Sequence, residues 1–396
     1  MSNKVLKAND VQVPRTCEDG VVRMVDIPDW WRGSVQDIED TVRLVKKGHV
    51  EVLCETPGKR PVYLIRYGKK NDLKRTATYS SAIGGYNYSY YADKRGEDYV
   101  PTVAFIGAEH GGEFEGVVAL NNLIKNIETG TDYAGNENRE LMEALEGLNL
   151  LIIPCLNVDG RARIPLRTMA GQDYEGFLYH CHGTWKNGSL CVHPYVKQYS
   201  PIKDYCEHLG GYYNDDGVNI VHDNFFFPMA EETKALFRVA DEYVPDISIH
   251  LHGGGNARNQ FYQFNYLPNR VKTLITELND QLEAASNAAG IGDHFFKREV
   301  KEYEDIPCFN VQSAWTALCG EAAIVYESNQ GLIYPKGKAA WDRCLTMDEI
   351  YQHHRILFET TFKYLKSKKV YPLFMEGYFK EYEGQSKEFK WGDTPK

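Results

Sequence analysis

Four short stretches carry side chains able to do chemistry together: His110-Gly111-Gly112-Glu113, Asn157-Val158-Asp159-Gly160, His250-Leu251-His252-Gly253-Gly254 and Tyr326-Glu327. Imidazole nitrogens and a carboxylate form a donor set that zinc prefers, in a tetrahedron whose fourth position stays open when the site is catalytic. His110 and Glu113, three residues apart, could supply two donors from one loop. The glycines between them are expected to let the backbone turn sharply enough for both side chains to converge. The third donor is His252 or His250. Alternation along residues 246–252 puts Ser248, His250 and His252 on one face, with Ile247, Ile249 and Leu251 on the other. His252, directly before Gly253, reaches the strand end more readily, which leaves His250 as a supporting partner; two satisfied core histidines are the plainer reading. Glu327 ends an apolar run, where a carboxylate is costly unless paired or used. It is the candidate general base, taking a proton from an activated water and passing it to a leaving group. A surface glutamate just past a strand end is its plainer alternative.

The elements that must position these residues are legible as patterns. Apolar runs at residues 61–67, 102–108, 148–155, 246–252 and 322–327 suit strands covered on both faces, hence a largely parallel sheet. Helical spacing recurs at Val117, Leu120, Ile124 and Ile127, and again at Leu236, Val239, Ala240 and Tyr243 after the acidic start Glu231-Glu232. Thr346 and Glu349 stand at capping-box spacing before Ile350, Leu357, Thr361 and Leu365. This alternation predicts an α/β fold: a mixed, largely parallel central sheet with helices on both faces and its ligand site beyond the carboxyl ends of the strands. All four chemical stretches fall at such ends.

The chain of 396 residues is 43% hydrophobic and 25% charged, ordinary for a globular protein that buries a large core. Its net charge of −10 and the absence of a dense Lys/Arg run argue against nucleic acid as a partner. No apolar stretch reaches membrane-spanning length, and the polar N-terminus lacks a signal peptide's apolar segment, so a cytoplasmic location is expected, a secreted mature form being the alternative. Nine scattered cysteines read as reduced, structural thiols. Residues 1–55 are expected to form a leader packed on the body through Trp30-Trp31, residues 56–370 the catalytic domain, and 371–396 a polar tail. Residues 165–216, rich in Gly, Tyr and His without periodicity, are expected to be a lid insertion. The tyrosine cluster from Tyr86 to Tyr91 reads as a rim of half-buried loops.

Taken together, the GAEHGGE run 107–113, the PxxNxDG run 154–160, the strand-end His252, Tyr326-Glu327 with Gly331, and the GVNI segment 217–220 followed by Glu231-Glu232-Thr233-Lys234-Ala235-Leu236 resemble the zinc carboxypeptidase family of the carboxypeptidase A type. The resemblance covers roughly residues 50–366. It implies a carboxypeptidase A-like (phosphorylase/hydrolase-like) fold, zinc on His110, Glu113 and His252, Glu327 as base, and hydrolysis of a peptide bond near a C-terminus. It also implies an arginine after NxDG that polarises the scissile carbonyl; Arg161, Arg163 and Arg167 are available, with Arg167 preferred on spacing and Arg163 next. The chain departs from the family where an Asn-Arg pair would clamp the substrate's terminal carboxylate. Here Val221-His222-Asp223-Asn224 stands instead, and histidine is a weaker, non-bidentate substitute. Arg258 could supply the missing guanidinium, and Tyr303 could stand for the tyrosine upstream of the base.

The expected activity is therefore a zinc metallocarboxypeptidase acting on a peptide substrate. Alternatives are an endopeptidase or amide deacylase for substrates without a free terminal carboxylate, and a catalytically silent peptide-binding homologue. A second cluster, His180-Cys181-His182, Cys191, His193, Cys206 and His208, reads as ordinary residues of the insertion, with a structural metal as its alternative.

Overall fold

The computed structural model describes residues 12–16, 22–85, 87–254, 260–262, 267–292, 309–333 and 345–367. The described residues open with a ribbon of β1 (Gln12–Thr16) and β2 (Val22–Asp26), then α1 (Val35–Leu44) and the antiparallel pair β3 (His49–Glu55) and β4 (Pro61–Tyr67). After α2 (Tyr79–Gly84) comes β5 (Thr102–Gly107), which α3 (Phe114–Thr129) and α4 (Arg139–Leu145) connect to β6 (Asn149–Ile153). Then follow α5 (Val158–Arg163), α6 (Tyr174–Phe177) and a small ribbon of β7 (Gly183–Trp185) with β8 (Cys206–Leu209). Next are α7 (Glu231–Tyr243), β9 (Ile247–Gly253), β10 (Gln260–Tyr262) and α8 (Asn269–Ala288). The last elements among the described residues are α9 (Val311–Cys319), β11 (Ala322–Ser328) and α10 (Met347–Ser367).

Among the described residues, seven strands form the central sheet in the order β10-β11-β9-β5-β6-β4-β3. The middle strands β11, β9, β5 and β6 run parallel, and β10, β4 and β3 join antiparallel at the flanks. Every residue of β5 and β6 is buried, as their unbroken apolar sequences require of strands covered on both faces. The expected leader boundary at residue 55 falls at the end of β3, an edge strand of this sheet.

Two apolar cores sandwich the sheet. On one side Ile247, Ile249 and Leu251 pack with Leu120, Ile124, Leu278, Leu357 and Phe362 from α3, α8 and α10. On the other, Ala104, Ile106 and Ala323 pack with Leu236, Val239 and Trp315 from α7 and α9. The opposite faces of β9 are thus used as its alternation predicts. α10 starts on a true capping box: the Thr346 amide donates to Glu349 Oε2 at 2.7 Å, and the Glu349 amide to Thr346 Oγ1 at 3.0 Å. Among the described residues, no helix is long and apolar enough to cross a membrane.

The tyrosine cluster differs from the expected rim. Tyr88 and Tyr91 are buried, edge-on to Tyr79 at 6.2 and 5.4 Å. Their hydroxyls donate to Cys319 O at 3.2 Å and Asp241 Oδ1 at 2.8 Å, so burial leaves neither polar tip unpaired. Tyr86 lies outside the described residues. Trp31 is buried, its indole N–H donating to Arg167 O at 3.1 Å.

Candidate active site

β5 delivers the first motif. Just past the strand, Ala108 takes a φ of 46°, a left-handed conformation that costs a residue with a Cβ roughly 1–2 kcal/mol. The glycines of His110-Gly111-Gly112-Glu113 have a different purpose from the expected one. Neither adopts a positive φ. A Cβ on Gly111 would lie 2.2 Å from the Gly160 carbonyl carbon and 2.1 Å from the Arg161 nitrogen, and one on Gly112 would lie 2.4 Å from Cys181 Sγ. They are needed because α5 and the 165–216 stretch press directly on this loop. Gly116, in the first turn of α3, would place a Cβ 2.6 Å from that of Leu251. The missing side chain lets α3 settle on β9, which brings Glu113 to His252.

The result is a buried cluster of His110, Glu113 and His252, with one potential ligand atom from each lying within 4.8 Å of the others. His110 Nδ1 is 2.7 Å from Glu113 Oε1, and His252 Nδ1 is 3.0 Å from Glu113 Oε2. The far nitrogens are held from behind: His110 Nε2 by Asn219 Oδ1 at 3.3 Å and His252 Nε2 by Glu109 Oε2 at 2.8 Å. With each Nε2 engaged from behind, Nδ1 is the nitrogen that each ring turns toward Glu113 and could offer to a metal. Tyr212 stacks on His110 at 3.5 Å with planes 9° apart. These donors fit zinc, the two imidazoles and the buried Glu113 carboxylate being the nitrogen and oxygen ligands it prefers. Burial alone would raise the pKa of Glu113, yet the two imidazoles hold it below the usual carboxylate range. Burial likewise disfavours a charged His252, but Glu113 and Glu109 together raise its pKa well above normal.

Glu327 stands directly opposite His252 in the parallel β9–β11 register. Burial pushes its carboxyl up to about 7; His252 and Lys197 oppose this and Glu113 reinforces it. A carboxyl poised near neutrality beside a metal-capable cluster suits proton transfer.

The NxDG run proves to be scaffold. Asn157 Oδ1 caps α5 by accepting from the Gly160 amide at 2.8 Å. Asp159 accepts from Thr56 Oγ1 at 2.6 Å, the Gly58 amide at 3.0 Å and Arg60 at 2.7 Å. Arg161 is buried over the Phe114 ring and donates to the carbonyls of Gly33, Ile164 and Leu166. Arg163, expected near the substrate, instead ties Gly210 O and Tyr213 O at 2.7 and 3.0 Å and pairs with Asp215. Arg167 is half-buried, between Leu166 and Met169, which pack against Phe114 at the start of α3.

The other expected substrate residues fare differently. Burial lowers the His222 pKa to about 3, with Lys197, His110, His252 and His193 adding to the effect, so the imidazole is neutral near pH 7. Asp223 is committed to its own loop, accepting from the amides of Asn224, Met229 and Ala230. Arg258 and Tyr303 lie outside the described residues. His250 does not join the metal-capable cluster; its Nδ1 is 2.6 Å from Glu109 Oε1. Nor do the histidines and cysteines of 180–208 form a metal-capable group among the described residues. The wider stretch 165–216 is tied to the site, with the Gly111 amide donating to Gly211 O at 2.7 Å, and to itself, with the Tyr212 amide donating to Cys181 O at 2.8 Å.

Several residues at the site had no assigned role in the sequence reading. Glu109 and Asn219 sit inside the quoted motifs and support the two histidines. Tyr212 and Lys197 lie in the stretch without periodicity, where no pattern marks them.

Comparison with solved structures finds the same fold elsewhere. A metallo-carboxypeptidase from Burkholderia cenocepacia is 14% identical, with a TM-score of 0.53 over 90% of this chain and 78% of that one. A protein from Burkholderia mallei described as a carboxypeptidase is 12% identical, with a TM-score of 0.51 over 90% and 76%. Comparison with curated protein sequences finds no match. The family model for zinc carboxypeptidases matches residues 30–303, more than half of the chain, from Trp30 to beyond α8. With that match laid over a carboxypeptidase-type fold, this chain belongs to the zinc carboxypeptidase family, a family of metallopeptidases.

Proposed function

We propose that this chain is a carboxypeptidase in which His110, Glu113 and His252 hold one zinc ion and Glu327 is the general base. The observation that carries this reading is the convergence of those three donors within 4.8 Å, with Glu327 paired across from His252. A zinc ion held there would supply Lewis acidity to the scissile carbonyl and to the attacking water. The chain's own residues do the rest. Glu327 takes the water's proton as the carbon–oxygen bond forms and delivers it to the departing amine nitrogen. Arg167 steadies the negative charge that develops on the carbonyl oxygen, a role for a fixed positive donor. Asn219 and Glu109 keep the two imidazoles oriented so that the geometry is set before substrate arrives.

A second reading has an observation behind it. His222 stands where the resemblance places a carboxylate-clamping arginine, and its neutral imidazole brings no positive charge to that position. An endopeptidase or deacylase acting on substrates without a free terminal carboxylate would have no need of that charge. Peptides with free and amidated C-termini separate the two. The carboxypeptidase reading expects kcat/KM to fall on amidation by 10-fold or more; equal cleavage of both forms would reject it in favour of the second.

A further inference from the structure

Behind the metal-capable cluster runs a buried chain of polar side chains that the proposed reaction does not use. Glu109 accepts at both oxygens: from His252 Nε2 at 2.8 Å and Gln312 Nε2 at 2.7 Å on Oε2, and from His250 Nδ1 at 2.6 Å on Oε1. The far nitrogen of His250 is 3.3 Å from Ser248 Oγ, which is 2.7 Å from Glu321 Oε1. All six side chains are at most 4% exposed. They belong to three elements: the loop after β5, the inner face of β9, and α9 with its connection to β11. Trp315, also on α9, lies edge-on to His250 at 5.2 Å and 89°, which fixes the ring plane.

Polar groups this deep are expensive, and an apolar set of the same shape would pack the sheet more cheaply. Their retention needs a use. Glu109 can orient His252 only if its own carboxylate is fixed, because a carboxylate free to rotate would let the imidazole turn with it. His250 grips one oxygen and Gln312 the other. Ser248 and Glu321 in turn hold His250 by its second nitrogen, so that its Nδ1–H stays aimed at Glu109. The chain ends on Glu321, whose burial raises its pKa well above the usual carboxyl range, so it joins as a neutral hydrogen-bonding group.

We infer that Glu321, Ser248 and His250 are positioning residues for the metal site, acting through Glu109 to lock His252 with Nδ1 toward the ion. The inference rests on the reading of His252 as a metal ligand. It places a determinant of metal affinity at the opposite end of the β9 strand from the ligand it serves.

The test is zinc titration of the metal-stripped protein against a chromophoric chelator, with thermal unfolding of the metal-free form alongside. Ser248→Ala and Glu321→Leu should each weaken zinc binding by about tenfold or more. Glu321→Gln, which keeps a hydrogen-bonding end of the same shape, should stay within about twofold of the parent. A merely structural role would lower the metal-free unfolding temperature and leave affinity untouched, and that result would overturn the inference. Where Ser248→Ala does not fold, Ser248→Cys preserves volume while weakening the bond and is read in the same way. Parent protein that binds no zinc, or whose binding is indifferent to His252→Ala, would sink the metal reading itself. Zinc binding that needs His252 but ignores Ser248 and Glu321 would sink this inference alone.

Discussion

Glu327 and His252 face each other across two parallel strands, and nearly all the proposed chemistry depends on what surrounds that pair. A carboxyl held near 7 gains and loses protons easily, whereas a fully solvated glutamate would be a weaker base. Glu327→Gln should therefore retain stoichiometric zinc while kcat falls by about 10²–10⁴-fold. A variant with full activity and full metal would remove Glu327 from the mechanism. At this scale the sequence drew attention to His110, Glu113, His252 and Glu327 because each lies at or shortly after the end of an apolar strand, and the fold gathers the first three into one cluster. It marked the arginines poorly. Arg161 and Arg163 follow NxDG just as Arg167 does, but the first two are consumed by main-chain carbonyls that no local pattern reveals.

The elements are set by packing as tight as the backbone allows. α3 lies on β9 through Gly116, and the HGGE loop lies on α5 through Gly111. Gly116→Ala should push α3 off Leu251 and cost about 1–3 kcal/mol, read from the denaturant midpoint. Stability unchanged from the parent would show that the helix has slack there. The strands and the amphipathic faces of α3, α7 and α10 were legible because periods of 2 and 3.6 are local properties. The purpose of the glycines was not. A close approach depends on which distant segment arrives, here Gly160-Arg161 and Cys181, whereas a turn would have been a property of the loop itself. The burial of Tyr88 and Tyr91 escaped for the same reason, since Cys319 and Asp241, which satisfy their hydroxyls, are over 100 residues away.

Across the whole molecule, folding buries several histidines in their neutral form. Burial lowers His180, His182 and His354 to about 4, and His222 to about 3. Their unfolded pKa is about 6.5. Between that value and the folded one, the unfolded chain binds protons that the folded chain does not, so stability is lost as pH falls from about 6.5 through 4. His354 is fully buried in α10, edge-on to Tyr326 and Phe358, with its Nδ1 bonded to Ile350 O at 2.8 Å. His354→Leu should flatten the pH dependence of the unfolding midpoint over that interval; an unchanged slope would contradict the assignment. Strand order, β10-β11-β9-β5-β6-β4-β3, was not legible, because pairing is decided by long-range contacts between runs that look alike in sequence.

Zinc titration into the metal-stripped protein, followed calorimetrically for the parent and for His252→Ala, bears most directly on the whole account. One ion per parent chain, with binding lost in the variant, is the predicted outcome. A parent that takes up no zinc, or a variant that binds it as well as the parent does, would contradict it.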